Sequence, residues 1–305
     1  MKAVRFDQYG GPEVLEVRDV DDPVPSAGEA LVRVRAASIN PGEIGIREGL
    51  FHELWPASFP SGEGADFAGV VESVGPGVEE MSAGDEVLGW TELRASHAEL
   101  VVAPVAQITA KPGEISWEVA GSIFVASMAA YACVDAVAPK PGEIVAVSAA
   151  AGGVGSAAVQ LARHAGATVI GLASEENHDW LRDHGVIPVT YGDGQAERIR
   201  EASGGHIDAF IDTFGGGYAD LAIELGVAPK RINTIADFAA VERLGIGGQG
   251  SHAIATREKL AELAALVADG SLEIPIAATY PLSEVRAAFE DLAKRKTRGK
   301  IVLIP

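Results

Sequence analysis

Ser148-Ala-Ala-Ala-Gly-Gly-Val-Gly155 is the stretch whose residue types and spacing bear most directly on chemistry. At a strand-to-helix turn, Gly152 lets the backbone approach a pyrophosphate, and Gly155 lets the helix pack close to the strand. A helix that starts there turns free N–H groups and the positive end of its dipole toward an anion. The candidate contacts are Ala151, Gly152, Gly153, Val154 and Gly155. Ala150 stands where the usual G-x-G-x-x-G pattern has its first glycine, and a plain tight βα turn competes with the phosphate reading of the glycines alone. The flanking elements favour the phosphate. Residues 144–147 form a short apolar run that reads as a buried strand, residues 156–165 read as a helix, and residues 167–172 as a second strand. A glycine turn in that context is the mark of dinucleotide binding.

The elements that follow must position the rest of such a site. Residues 179–184 suggest a helix, 187–191 a short edge strand, and 207–212 and 231–236 two more buried strands. Alternating strands and helices imply a doubly wound parallel sheet, with ligand at the carboxyl ends of the strands, near Thr213, Phe214, Ile235 and Ala236. Ordinary strand ends would read the same way from the residues alone. Residues 117–137 are expected to form one long apolar helix capped by Ser116. Residues 256–268 are expected to form an amphipathic helix with Leu260, Leu263, Ala264 and Val267 on one face, and a further helix is expected from Tyr280, capped by Ser283.

Length and composition bound the answer. A chain of 305 residues suggests about two domains. The formal charge of −19 argues against nucleic acid or an anionic membrane as a partner. The single cysteine, Cys133, excludes an internal disulfide and points to the cytoplasm. The chain opens on the strand-like Ala3-Val4-Arg5-Phe6, with no apolar signal region. Residues 119–134 are uncharged but short for a membrane span. Up to about residue 110, alternating runs such as Ala30 to Ala36 are separated by Gly, Pro and Asp, which suggests a compact, partly barrel-like β domain.

Ser38-Ile-Asn-Pro-Gly-Glu43, Gly64-Ala-Asp-Phe-Ala-Gly69 and Gly84-Asp-Glu-Val-Leu-Gly89 resemble, in order, the motifs of zinc-independent quinone oxidoreductases of the medium-chain dehydrogenase/reductase superfamily. Ala98-Glu-Leu-Val-Val, the glycine turn and Thr297-Arg-Gly-Lys-Ile-Val-Leu continue the resemblance over nearly the whole chain. It implies an α/β protein with a GroES-like, partly open β-barrel catalytic domain (residues 1–115 and 275–305) and a Rossmann domain (residues 116–274). It further implies a substrate cleft between the domains, a homodimer, and hydride transfer from NADPH to a quinone or activated enone. Zinc members of the superfamily carry a Cys near the Asn40 region and Gly-His-Glu where this chain has Gly64-Ala65-Asp66. Ala65 cannot ligate a metal, and the seven histidines form no H-x-x-x-H pair, so a metal-free enzyme is expected.

By the same resemblance, Asn40 is the candidate donor to the substrate carbonyl, and Asp66 a residue that holds the loop or the second shell rather than an acid. Ser174 and Asn177 are expected to bind the cofactor, Tyr191 is expected near the adenosine phosphate, and Lys300 is the expected C-terminal lysine on the phosphate side. The usual acid of an NAD site is absent at Ala173-Ser174, which favours NADPH, but Glu175 and Glu176 follow, and two carboxylates there leave NADH open. Ala129 stands where many relatives have a cofactor-contacting threonine, and no tyrosine is found near Phe51 and His52, so the proton is expected from water. An enoyl reductase acting on a carrier- or CoA-linked chain and a catalytically silent cofactor-binding protein are the competing functions.

Overall fold

A computed structural model describes all 305 residues. The chain forms two compact units, residues 1–125 with 256–305 and residues 126–255. In the first, β1 (Lys2–Arg5) and β2 (Glu16–Asp19) make a small antiparallel ladder. The ten-residue β3 (Glu29–Ser38) leads into α1 (Pro41–Arg47). β4 (Asp66–Val74), β5 (Glu86–Trp90), β6 (Leu100–Pro104) and β7 (Ile108–Ala110) follow. Pairing of β3 with both β4 and β6 wraps the sheet around a core of Val32, Val34, Phe67, Val87, Val101 and Ile108. Alternate residues of β3 point to that core, as a half-buried strand requires.

The long apolar helix expected over residues 117–137 is broken. α2 (Trp117–Ala120) ends at Gly121, and α3 (Phe124–Val137) starts again three residues later. The cause is the close passage of β3. A Cβ at Gly121 would lie 2.4 Å from the Ala36 carbonyl oxygen, and the Ser38 N–H donates to the Gly121 carbonyl. Ser116 does cap α2, accepting the Val119 N–H.

The second unit alternates β8 (Ile144–Val147), α4 (Gly153–His164), β9 (Thr168–Ala173), α5 (His178–Asp183), β10 (Ile187–Thr190), α6 (Gln195–Ser203), β11 (Ala209–Asp212), α7 (Tyr218–Glu224), β12 (Ile232–Thr234) and α8 (Phe238–Leu244). Its five strands are all parallel, in the order β10-β9-β8-β11-β12. This is the doubly wound Rossmann order, and the direction reverses beside β8, where the glycine turn leaves the sheet.

The chain then rejoins the first unit through α9 (Arg257–Ala268), β13 (Ile276–Pro281), α10 (Val285–Ala293) and β14 (Lys300–Ile304). α9 buries Leu260, Leu263 and Ala264, is capped by Thr256, and packs on β7 with an Arg257–Glu80 ion pair. Residues 116–125 and 256–274 therefore pack with the β-rich unit rather than with the nucleotide-type sheet. Tyr280 lies in a strand, paired with Leu303 of β14, so the helix expected there starts only at Val285 and Ser283 does not cap it. β14 pairs antiparallel with β3, bringing Lys300 back to the start of α1. The GroES-like plus Rossmann α/β architecture is the one observed. No helix is long and apolar enough to cross a membrane.

Candidate functional site

In the second unit the glycine turn is built as a cradle at the head of α4. The first intrahelical bond runs from the Ser156 N–H to the Gly152 carbonyl, leaving the N–H groups of Gly153, Val154 and Gly155 without intrahelical acceptors. A Cβ at Gly155 would sit 2.1 Å from the Ala149 carbonyl oxygen, so only glycine lets the helix start this close to the turn. Ala150 is tolerated because Gly171 of β9 faces it, where a Cβ would come 2.8 Å from the Ala150 methyl. Ala149 carries the strain of the turn, at φ +45° without being glycine. This glycine cradle, with its free N–H groups, fits a dinucleotide pyrophosphate.

The strand ends beside the turn are organised by a residue the sequence reading passed over. Asp212, fully buried at the end of β11, accepts from Ser148 Oγ (2.7 Å), the Phe214 N–H (3.0 Å), the Gly215 N–H (2.9 Å) and Thr234 Oγ1 (2.8 Å). Four donors satisfy its charge without a cation. Thr213 is tied in the same way, its N–H to Ser148 Oγ and its hydroxyl to the Ser148 carbonyl. Thr213, Phe214, Ile235 and Ala236 thus share one edge, with Phe214 and Ala236 exposed. The one sequence signal for Asp212 was its place as the last residue of an otherwise apolar strand.

At the end of β9, Asn177 is buried and donates to Ser174 Oγ (2.9 Å), and that hydroxyl donates to Glu176 (3.0 Å). The Glu176 carboxylate is therefore held at the strand end by this bond, and both Glu175 and Glu176 are exposed. Tyr191, just past β10, is half exposed. Ala129 is buried within α3.

In the first unit, a polar cluster is buried where β3, α1, β4 and β14 meet. Asn40 Oδ1 accepts from Lys300 Nζ, and Asn40 Nδ2 donates to Asp66 Oδ2 (2.9 Å) and to Glu43 Oε1 (3.2 Å). Both amide hydrogens are spent on carboxylates. In this geometry Asn40 positions its neighbours Lys300, Asp66 and Glu43. Lys300 belongs to the same cluster. Its ammonium is 4 % exposed, bonded to Asn40 and to the Ile39 carbonyl, and 3.7 Å from Asp66. Its charge is committed to this cluster, and burial lowers its pKa against the pull of Asp66 and Glu43.

Asp66 accepts from Ser38 Oγ (2.8 Å) and Asn40 on one oxygen, and from the Val125 N–H (2.7 Å) at the head of α3 on the other. It is a structural hub and helix-end anion, with no lone pair turned to solvent. His97 is fully buried, its Nε2 3.2 Å from the Ser38 carbonyl, and burial pushes its pKa down to about 4. Gly64 makes room for it, having φ +96° and space for no Cβ beside His97 and Ser96. Arg47 and Glu63 form a second buried pair at 2.6 Å, with the guanidinium 4.5 Å from the Phe289 ring centre. His52 lies on an exposed loop, its ring bonded to the Gly49 carbonyl. No group of three or more His, Cys, Asp and Glu side chains is arranged to hold a metal ion.

Comparison with known proteins places this geometry. Residues 26–142 match the alcohol dehydrogenase GroES-like domain, and residues 182–303 match a domain described as zinc-binding dehydrogenase. A quinone oxidoreductase from Pseudomonas aeruginosa is 32% identical over 100% of this chain and 99% of its own length. The solved quinone oxidoreductase of Coxiella burnetii is 31% identical with a TM-score of 0.89, covering 100% of this chain and 99% of that one. That of Escherichia coli, complexed with NADPH, is 26% identical with a TM-score of 0.88, covering 100% of both.

Proposed function

The chain belongs to the quinone oxidoreductase-like branch of the medium-chain dehydrogenase/reductase superfamily, and on that premise we propose that it is an NADPH-dependent reductase that passes a hydride to a quinone or activated enone without zinc. The observation that carries the proposal is the head of α4, with three free N–H groups beside a glycine pressed onto the turn. When bound there, the nicotinamide nucleotide supplies the hydride. This chain's own groups bind and orient: Gly152 to Gly155 hold the pyrophosphate, and Asp212 with Ser148 fixes the strand ends that carry Thr213 and Phe214. Quinones and enones accept hydride at an electron-poor carbon and delocalise the resulting oxyanion, so they need less Lewis-acid help than a simple ketone.

The zinc-free part of the proposal rests on the donor set. Asn40 and Ala65 offer no thiolate or imidazole, and the oxygens of Asp66 and Glu43 are occupied by N–H and O–H donors. The preference for NADPH rests on Ser174, which stands where an NAD site keeps an acid, and on the NADPH complex of the E. coli relative. Glu176, folded onto Ser174, is the feature that admits NADH. A cytoplasmic homodimer belongs to the same proposal, resting on the resemblance, and light scattering checks its dimeric part. Fluorescence titration with NADPH and NADH side by side tests the cofactor. Tighter NADPH binding supports the assignment, tighter NADH binding reverses it, and binding of neither removes the reductase reading.

A further inference from the structure

Ala149 is the residue on which the head of α4 is seated. Its carbonyl accepts the Gly152 N–H (2.8 Å), and the same oxygen is the atom that a Cβ at Gly155 would meet. The direction of that carbonyl therefore sets where the free N–H groups of Gly153, Val154 and Gly155 point. Yet Ala149 stands at φ +45°, a left-handed conformation that a residue with a Cβ keeps only when its surroundings hold it there.

The peptide groups on both sides of Ala149 are pinned. The one after it is fixed by the Gly152 N–H on its oxygen and by the Ala150 N–H, which donates to the Leu172 carbonyl of β9 (2.9 Å). The one before it is fixed through the Ser148 carbonyl, which accepts the Thr213 hydroxyl (2.7 Å). Thr213 is held in its turn. Its N–H donates to Ser148 Oγ (2.9 Å), and that hydroxyl gives its one proton to Asp212 (2.7 Å). The same Asp212 oxygen accepts the N–H groups of Phe214 and Gly215. Gly215, Gly216 and Gly217 follow, all left-handed, and bring no side chain to restrain the loop. The hold on Thr213 accordingly falls to Asp212 and Ser148.

We propose that Thr213 is a positioning residue for the nucleotide: its hydroxyl keeps the strained Ala149 in the conformation that presents the α4 N–H groups to a pyrophosphate. The inference rests on the cofactor site proposed above. It joins the end of β11 to the glycine turn across the β8–β11 pair, so that the loops on the two sides of the topological switch act as one device.

Two measurements test this. Amide hydrogen exchange of the nucleotide-free protein reads the turn itself, through the Gly152 N–H that the Ala149 carbonyl accepts. Thr213→Val, which keeps the shape and loses the hydroxyl, is expected to speed that exchange about 5-fold, and Thr213→Ser to leave it unchanged. Unchanged exchange in Thr213→Val overturns the inference. Fluorescence titration with NADPH reads the consequence. Thr213→Val is expected to bind about 5- to 10-fold more weakly, and Thr213→Ser like the wild type. Ala149→Gly, added to Thr213→Val, is expected to recover most of the loss, because glycine takes a positive φ without being held. Undiminished affinity in Thr213→Val, or a loss that Ala149→Gly does not recover, overturns the inference. A wild type that binds neither NADPH nor NADH, while Gly152 exchanges as expected, overturns the reductase reading. The nucleotide role of Thr213 falls with it, but not its hold on Ala149.

Discussion

The ammonium of Lys300 and the carboxylate of Asp66 stand 3.7 Å apart inside the first unit, and Asn40 is bonded to both. This relationship ties the last strand of the chain to β4 and to the start of α1, so the polar cluster is a fold-closing device. Removing one partner leaves a buried charge uncompensated. Asp66→Ala also strips the anion from the head of α3. Urea denaturation is expected to show a loss of about 3–5 kcal/mol, and the Asp66→Ala, Lys300→Met pair less than the sum of the two single losses. Strict additivity would mean the two charges do not interact.

His97 gives the acid side of the stability curve a defined slope. Its folded pKa, near 4 through burial, lies below the ordinary value of 6.5. The unfolded chain therefore binds a proton that the native one refuses. The stability contributed by neutral His97 is fully present above pH 6.5 and is lost as pH falls toward 4, by about 3 kcal/mol. Equilibrium unfolding at stepped pH checks it, since His97→Gln should flatten that segment relative to the parent. An equally steep variant would place the titration elsewhere.

How much of this was legible in the chain depends on the range of the interactions. The glycine turn could be read because strand, turn and helix are consecutive, and the spacing of Gly152 and Gly155 reports a local clash. The bonds of Asn40 could not be read from the chain. Its partners lie 3, 26 and 260 residues away, and only the folded register of β14 on β3 brings Lys300 to its side chain. The bonds of Lys300 were hidden for the same reason. The break at Gly121 was hidden because its cause is a carbonyl of β3, not a local breaker.

Gly155→Ala tests the cradle. The added methyl meets backbone at 2.1 Å and cannot be absorbed by a side-chain rotation. A stability loss of about 1–3 kcal/mol is expected together with weakened nucleotide binding. Unaltered NADPH affinity, read by fluorescence, would move the phosphate site away from α4.

Ala149→Gly should act in the opposite direction. At φ +45° alanine is strained, and glycine relieves it at a gain of about 1 kcal/mol in thermal or urea unfolding. A loss instead would mean that the alanine methyl packs usefully against the turn.

Glu176→Gln addresses nucleotide choice. The carboxylate held by Ser174 Oγ disfavours a 2′-phosphate beside it, so its neutral counterpart should shift the NADPH-to-NADH affinity ratio toward NADPH by about 3- to 10-fold. An unchanged ratio would show that the carboxylate lies outside the ribose site.

The central claim is hydride transfer from a nicotinamide nucleotide to a quinone or enone by a site that needs no metal. Its most direct test is NADPH consumption with a quinone panel, followed before and after exhaustive chelation of the protein. The account predicts saturable consumption that chelation leaves unchanged. Consumption abolished by the chelator and restored by zinc, or absent with every acceptor, would contradict it.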